Sequence, residues 1–207
     1  MKLNSRHIIL QKIAAHADKT VVNTTFENED ERIYKPIEGS LCNCFKTELE
    51  SIGGHVFMFQ NEIELFAGLS SFLAEKGFSS VYSSLPDIPN RLPNIVLNQE
   101  AYEEMDAAIT ECEFLVVRTG SILISSASCG GRALNVFPPV HIVVAKKSQL
   151  VSFVTDALHA LYEKYEGKLP SLVSFISGPS RTADIEKTLV MGAHGPRELY
   201  VFIDENL

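Results

Sequence analysis

The chain has 207 residues, 45% hydrophobic and 21% charged, and its 18 basic and 26 acidic side chains leave a net charge of −8. That balance describes a folded globular chain and excludes a fibrous or disordered one. An acidic chain without a dense Lys/Arg cluster is poorly suited to nucleic acid, no apolar run approaches the ~20 residues that span a bilayer, and no signal-peptide pattern opens the sequence. The expected address is therefore the cytoplasm.

In chain order, Leu10, Ile13, Ala14 and Ala17 fall at helical spacing and predict a peripheral amphipathic helix within 3–17, followed by an acidic connector over 23–38 that carries Glu27, Glu29, Asp30, Glu31 and Pro36. Together, 1–38 is expected to be peripheral to a single α/β domain spanning 1–207. A strand is predicted at 56–59, a helix containing Ile63, Phe66, Ala67 and Leu73, and a strand at Val81 and Tyr82. That alternation implies βα units around a mostly parallel sheet. Pro86, Pro89 and Pro93 predict a loop, and 102–109 a short helix.

Strands at 114–117 and 122–124 are separated only by Thr119, Gly120 and their neighbours, too close for a parallel crossover, so a hairpin and a mixed sheet are expected. A turn at Cys129–Arg132, a strand at 140–145 and a long helix with Val151, Val154, Leu158, Leu161, Tyr162 and Tyr165 on one face follow, closed by Gly167 and Pro170. Cys42, Cys44, Cys112 and Cys129 contain no CxxC pair, so reduced thiols and no metal centre are expected.

The most informative segment runs from Leu172 to Ile176 and on through Ser177-Gly178-Pro179-Ser180-Arg181-Thr182-Ala183-Asp184. It reads as strand, glycine turn and helix start, an arrangement whose open N–H groups suit a phosphate or carboxylate. Gly178 would admit a ligand to the backbone, and Ser180 or Thr182 would either cap the helix or bind the anion. Arg181, a cation at a helix start, either pairs with Asp184 or clamps the ligand. The lysine and second glycine of a Walker loop are absent. A helix over 185–191 would end at Gly192, and His194, between Ala193 and Gly195, is either a general acid/base or a backbone-bonded turn residue. If the flanking strands are parallel, the Ser180 and His194 loops fall on opposite sheet edges and meet only through an antiparallel last strand or a neighbouring subunit. Thr119, Gly120 and Ser121 form a further candidate ligand turn, with Arg118 beside it, whereas His141 at a strand start is expected to be packed.

The run Gly178-Pro179-Ser180-Arg181-Thr182-Ala183-Asp184-Ile185-Glu186 and the later Gly192-Ala193-His194-Gly195-Pro196-Arg197-Glu198-Leu199 closely resemble the lactate-utilization protein C family, the LUD domain. The Arg118-Thr119-Gly120-Ser121 turn and the strand from Pro139 to Val144 resemble that family's central motifs, although the family pattern there is Glu-Thr-Gly-Thr. The resemblance implies a three-layer α/β/α fold like that of glucosamine-phosphate deaminases, ribose-phosphate isomerases and CoA transferases. It also implies a role in lactate oxidation to pyruvate beside separate iron–sulfur subunits, with no cofactor on this chain and room for a homo-oligomer. Three functional readings follow, one of which makes the chain a pure assembly factor. In another, the chain is an accessory protein that binds a small anion through Thr119, Gly120, Ser121, Gly178, Ser180, Arg181 and Thr182, with Asp184 orienting Arg181. In the third, it is a stand-alone enzyme on a sugar phosphate or acyl donor, with His194 as acid/base.

Overall fold

The computed structural model describes residues 6, 9–12, 35–85, 87–92, 104–128, 134–182, 190–192 and 194–206. The chain divides into two compact units, Met1–Pro36 and Ile37–Leu207. In the first, Arg6 and residues 9–12 are helical, in line with the expected amphipathic helix; the remainder of that helix and most of the acidic connector lie outside the described residues.

The second unit is built around strands too apolar to face water. Its elements in chain order are helix α1 (Leu41–Ser51), strand β1 (His55–Phe59), helix α2 (Glu62–Lys76), β2 (Val81–Ser83), the short helix α3 (Ile88–Arg91), β3 (Ala107–Glu111), β4 (Phe114–Val116) and β5 (Ser121–Ser125). Then follow β6 (Val140–Lys146), β7 (Leu150–Val151), helix α4 (Val154–Lys164), β8 (Val173–Ile176), β9 (Arg181–Thr182), β10 (Val190–Met191) and β11 (Glu198–Asp204).

Residues Leu199 to Asp204 are all buried, and a strand buried on both faces belongs in the middle of a covered parallel sheet. β11 accordingly lies between β1 and β6 in the order β1-β11-β6-β3-β2, with every pairing parallel. Alternate side chains serve opposite faces. Leu199, Val201 and Ile203 pack with Phe45 and Leu49 of α1 and with Leu115, Ile122 and Ile124 of the second sheet, while Tyr200 and Phe202 pack with Leu65, Leu69 and Leu73 of α2. The second sheet, ordered β7-β4-β5-β8, is covered on its far side by Ala157 and Leu161 of α4. α2 begins and ends as its sequence dictates: Asn61 accepts the Glu64 N–H at 2.9 Å, and Gly77 closes the helix in the left-handed conformation.

The α/β class and mostly parallel main sheet are as expected, and the expected hairpin is present as β4 and β5. Its mixing of directions is found in the second sheet, where β4 runs parallel to β7 and β5 antiparallel to both β4 and β8. Four expectations are corrected. The helix over 102–109 is contradicted by β3, whose Ala107, Ala108, Ile109 and Thr110 are wholly buried between β2 and β6; ladder pairing and burial outweigh the helical preference of alanine. The proline segment contains α3 rather than only loop. The long helix starts at Val154, because Leu150 and Val151 pair with Leu115 and Val116, and Val154, Leu158 and Tyr162 of its predicted inner face are exposed. Finally, Arg181–Thr182 and Val190–Met191 form an antiparallel ribbon instead of the start and end of a helix, while 183–189, including Asp184, lie outside the described residues.

Candidate functional site

The end of α1 organises two of the motif turns. Gly120 has φ +57°, and a Cβ there would lie 2.5 Å from the backbone nitrogen of Leu49, so the turn after the one-turn helix at Val117–Thr119 rests directly on α1. The Ser121 and Ser177 hydroxyls meet at 2.7 Å and join this turn to the one that follows β8. Gly178 has φ +78°, and a Cβ there would lie 2.7 Å from the Ile52 carbonyl oxygen. Arg181 donates from Nη2 to that same carbonyl. The last carbonyls of a helix lack intrahelical donors and carry partial negative charge, so the Arg181 guanidinium acts as the cationic cap of α1. That is the electrostatic partner a helix start at Arg181 would have lacked.

The Ser180 and His194 loops meet within one chain. Ser180 donates its N–H to the Pro196 carbonyl at 2.8 Å and accepts the Gly192 N–H at 2.9 Å. The expectation that they occupy opposite edges assumed one parallel sheet. β8 instead belongs to the second sheet and β11 to the first, so the chain crosses between layers at this point and its loops converge. Beside them opens a cleft of about 610 Å³ lined by Val136, Phe137, Pro139, Gly192, His194, Gly195 and Arg197. The Arg197 N–H donates to the Pro139 carbonyl at 2.7 Å, and the Arg197 side chain lies across Gly192, where any Cβ would collide with its stem. His194 and Arg197 are both exposed.

The family profile described as the LUD domain matches residues 94–203. The chain belongs to the LUD domain family. A lactate utilization protein C from Shouchella clausii is 38% identical over 108 residues, 51% of this chain and 47% of the relative. One from Anoxybacillus flavithermus is 32% identical over 154 residues, 74% of this chain and 64% of the relative. The chain thus spans about half the length of the first of these relatives. Among solved structures, a DUF162 family protein from Deinococcus radiodurans has a TM-score of 0.60 at 20% identity, covering 82% of this chain and 99% of that one, a likeness of fold.

Of the residues singled out in this LUD domain, Thr119, Gly120, Ser121, Gly178, Ser180 and Arg181 gather around the end of α1 and the adjoining loop, Thr182 lies in the ribbon, and His194 lines the cleft. Arg118 is exposed and donates its backbone N–H to the Ser152 carbonyl. Asp184, Cys129 and Arg132 lie outside the described residues. Cys42 and Cys44 are free thiols, and among the described residues no His, Cys, Asp and Glu group of three or more is placed to hold a metal ion. Likewise, no described helix is long and apolar enough to cross a membrane.

One buried polar group, Glu113, has no counterpart among the sequence expectations. Glu113, a lone acid between Cys112 and Phe114, is fully buried at its side chain and accepts from Ser125 at 2.5 Å, Tyr165 at 2.8 Å and Lys164 at 2.7 Å. Burial raises its pKa, but the donors from Lys164, Ser125 and Tyr165 outweigh that and hold it below the usual value. A charged residue inside an apolar run is the signal that could have drawn attention to it. His141, expected to be packed, is indeed buried; its Nε2 meets the Thr110 hydroxyl at 2.8 Å, and burial pushes its pKa down to about 4.

Proposed function

We propose that this LUD domain serves lactate utilization as an accessory component that binds a small anionic ligand, with the redox chemistry carried by separate iron–sulfur subunits in the cytoplasm. The names of its relatives support the first part. The ligand-binding part rests on one observation, the pair of hydrogen bonds that ties Ser180 to Pro196 and Gly192 beside an open cleft. In this reading Thr119, Gly120, Ser121, Gly178, Ser180, Arg181 and Thr182 shape the anion site and Asp184 orients Arg181. Arg181 spends one donor on the Ile52 carbonyl and retains others for a ligand.

Deleting the gene in its host should prevent growth on lactate as sole carbon source, and unaffected growth would remove the reading. Lactate, pyruvate and phosphate should be compared in thermal-shift titrations. At least one should stabilise the protein, and Arg181→Ala should lose that gain, because a ligand stabilises only the state it binds.

The second reading, a stand-alone enzyme with His194 as acid/base, gains from the same joined loops, which bring His194 to the side of the Ser180 turn in a single chain. It requires turnover of a sugar phosphate or acyl donor that His194→Gln abolishes.

A further inference from the structure

The polar groups of the Ser177–Arg181 turn are largely committed to the protein itself. Ser177 holds Ser121, the Ser180 N–H and carbonyl are both bonded, the Ile52 carbonyl fills the space over Gly178, and Arg181 reaches that carbonyl. Arg197 is in the opposite situation. Among the described residues no carboxylate pairs with its guanidinium, although the chain carries an excess of acid, and its stem is laid over Gly192 toward the cleft it lines. His194 adds a second nitrogen-bearing side chain to that wall.

The remaining walls are apolar: Val136 and Phe137, consecutive in sequence, are 41% and 62% exposed, and Pro139 adjoins them. Adjacent exposed aliphatic and aromatic side chains beside a guanidinium without a carboxylate partner among the described residues recognise a molecule with two unlike ends. The volume agrees. About 610 Å³ falls within the range of clefts that hold cofactor-sized ligands, far more than a three-carbon acid occupies.

From this we infer that the cleft takes an amphipathic organic anion, its carboxylate or phosphate held by Arg197 with His194 alongside and its apolar or aryl body laid on Val136 and Phe137. The inference rests on the anion-binding reading above and adds to the Ser177–Arg181 turn a further charged anchor, Arg197. A planar guanidinium suits both headgroups, since each offers two oxygens to its paired N–H donors.

The test uses the full chain and calorimetric titration with 1-naphthyl phosphate and 1-naphthoate, with inorganic phosphate and 1-naphthol as the separate halves. At least one naphthyl anion should bind about tenfold more tightly than either half, and the tighter of the two identifies the headgroup. Arg197→Gln and Phe137→Ser should each weaken it by about tenfold, and Arg197→Lys should recover part of the loss. Val136→Ser serves as the apolar-wall variant if Phe137→Ser does not fold. Binding no tighter than phosphate, or binding that survives Arg197→Gln or the apolar-wall variant, would overturn the inference. Neither result depends on growth on lactate, so failure here is distinguishable from failure of the functional reading.

Discussion

Glu113 and Arg197 are both charged residues within the LUD domain match, yet their surroundings are opposite. The Glu113 carboxylate is sealed inside and met by three side-chain donors, so its charge is fully spent on holding α4 against the β4–β5 hairpin. Arg197 lies open in a cleft, without an ion-pair partner among the described residues and with apolar walls nearby. A buried charge survives only when its hydrogen bonds are complete, whereas a charge kept at a cleft without a partner leaves its donors for something outside the fold. Charge alone therefore does not mark a site; incomplete internal pairing beside an open volume does.

The contrast can be broken most severely at Glu113. Glu113→Ala should destabilise the protein by about 3 kcal/mol in urea denaturation, since it strands the Ser125 and Tyr165 hydroxyls, while the half-exposed Lys164 ammonium returns to water. A loss below about 1 kcal/mol would mean that the cluster is solvated in solution.

His141 sharpens the inner side of the comparison through pH. Its folded pKa is lowered from 6.5 to about 4, so the folded state refuses a proton that the unfolded state accepts. Stability is complete above about pH 6.5 and falls by about 3 kcal/mol as pH drops toward 4, levelling off below that. Glu113, held below its ordinary 4.5, adds its own loss only in more acidic solution. Denaturation curves at pH 7.5 and 5 for the wild type and His141→Gln should therefore diverge less at the lower pH.

Between these poles stands the Gly120 turn. Gly120→Ala forces a Cβ against the backbone of Leu49 at positive φ and should cost about 2 kcal/mol in the same assay. At the open end, Arg197→Gln should change stability by no more than about 0.5 kcal/mol, as expected of an exposed residue without a charged partner among the described residues. A large loss there would make Arg197 structural and erase the contrast.

A strand with a continuous apolar run, such as that around Val143, was legible because nothing but a covered sheet hides such a run. The hairpin at Gly120 was legible because the intervening chain is too short for any other connection. α1 passed unnoticed although Cys42, Phe45 and Leu49 recur at helical spacing, because polar residues between them dilute the stripe. Ala107–Thr110 misled because alanine favours a helix and only the flanking strands make that segment extended.

For the site, the sequence by itself determined which residues matter as motifs: the glycines at 120, 178 and 192, the serines beside them, and Arg181, His194 and Arg197. Local pattern carries that information, since turns demand particular residue types at particular spacings. Only the tertiary structure decided what those residues face. The crossing from the second sheet to the first brings Ser180 to Gly192 and Pro196, turns Arg181 toward the end of α1 and leaves Arg197 to the cleft. The Arg181 partner is more than a hundred residues away, and Pro196, which accepts the Ser180 N–H, lies beyond the β9–β10 ribbon, contacts that no local spacing encodes.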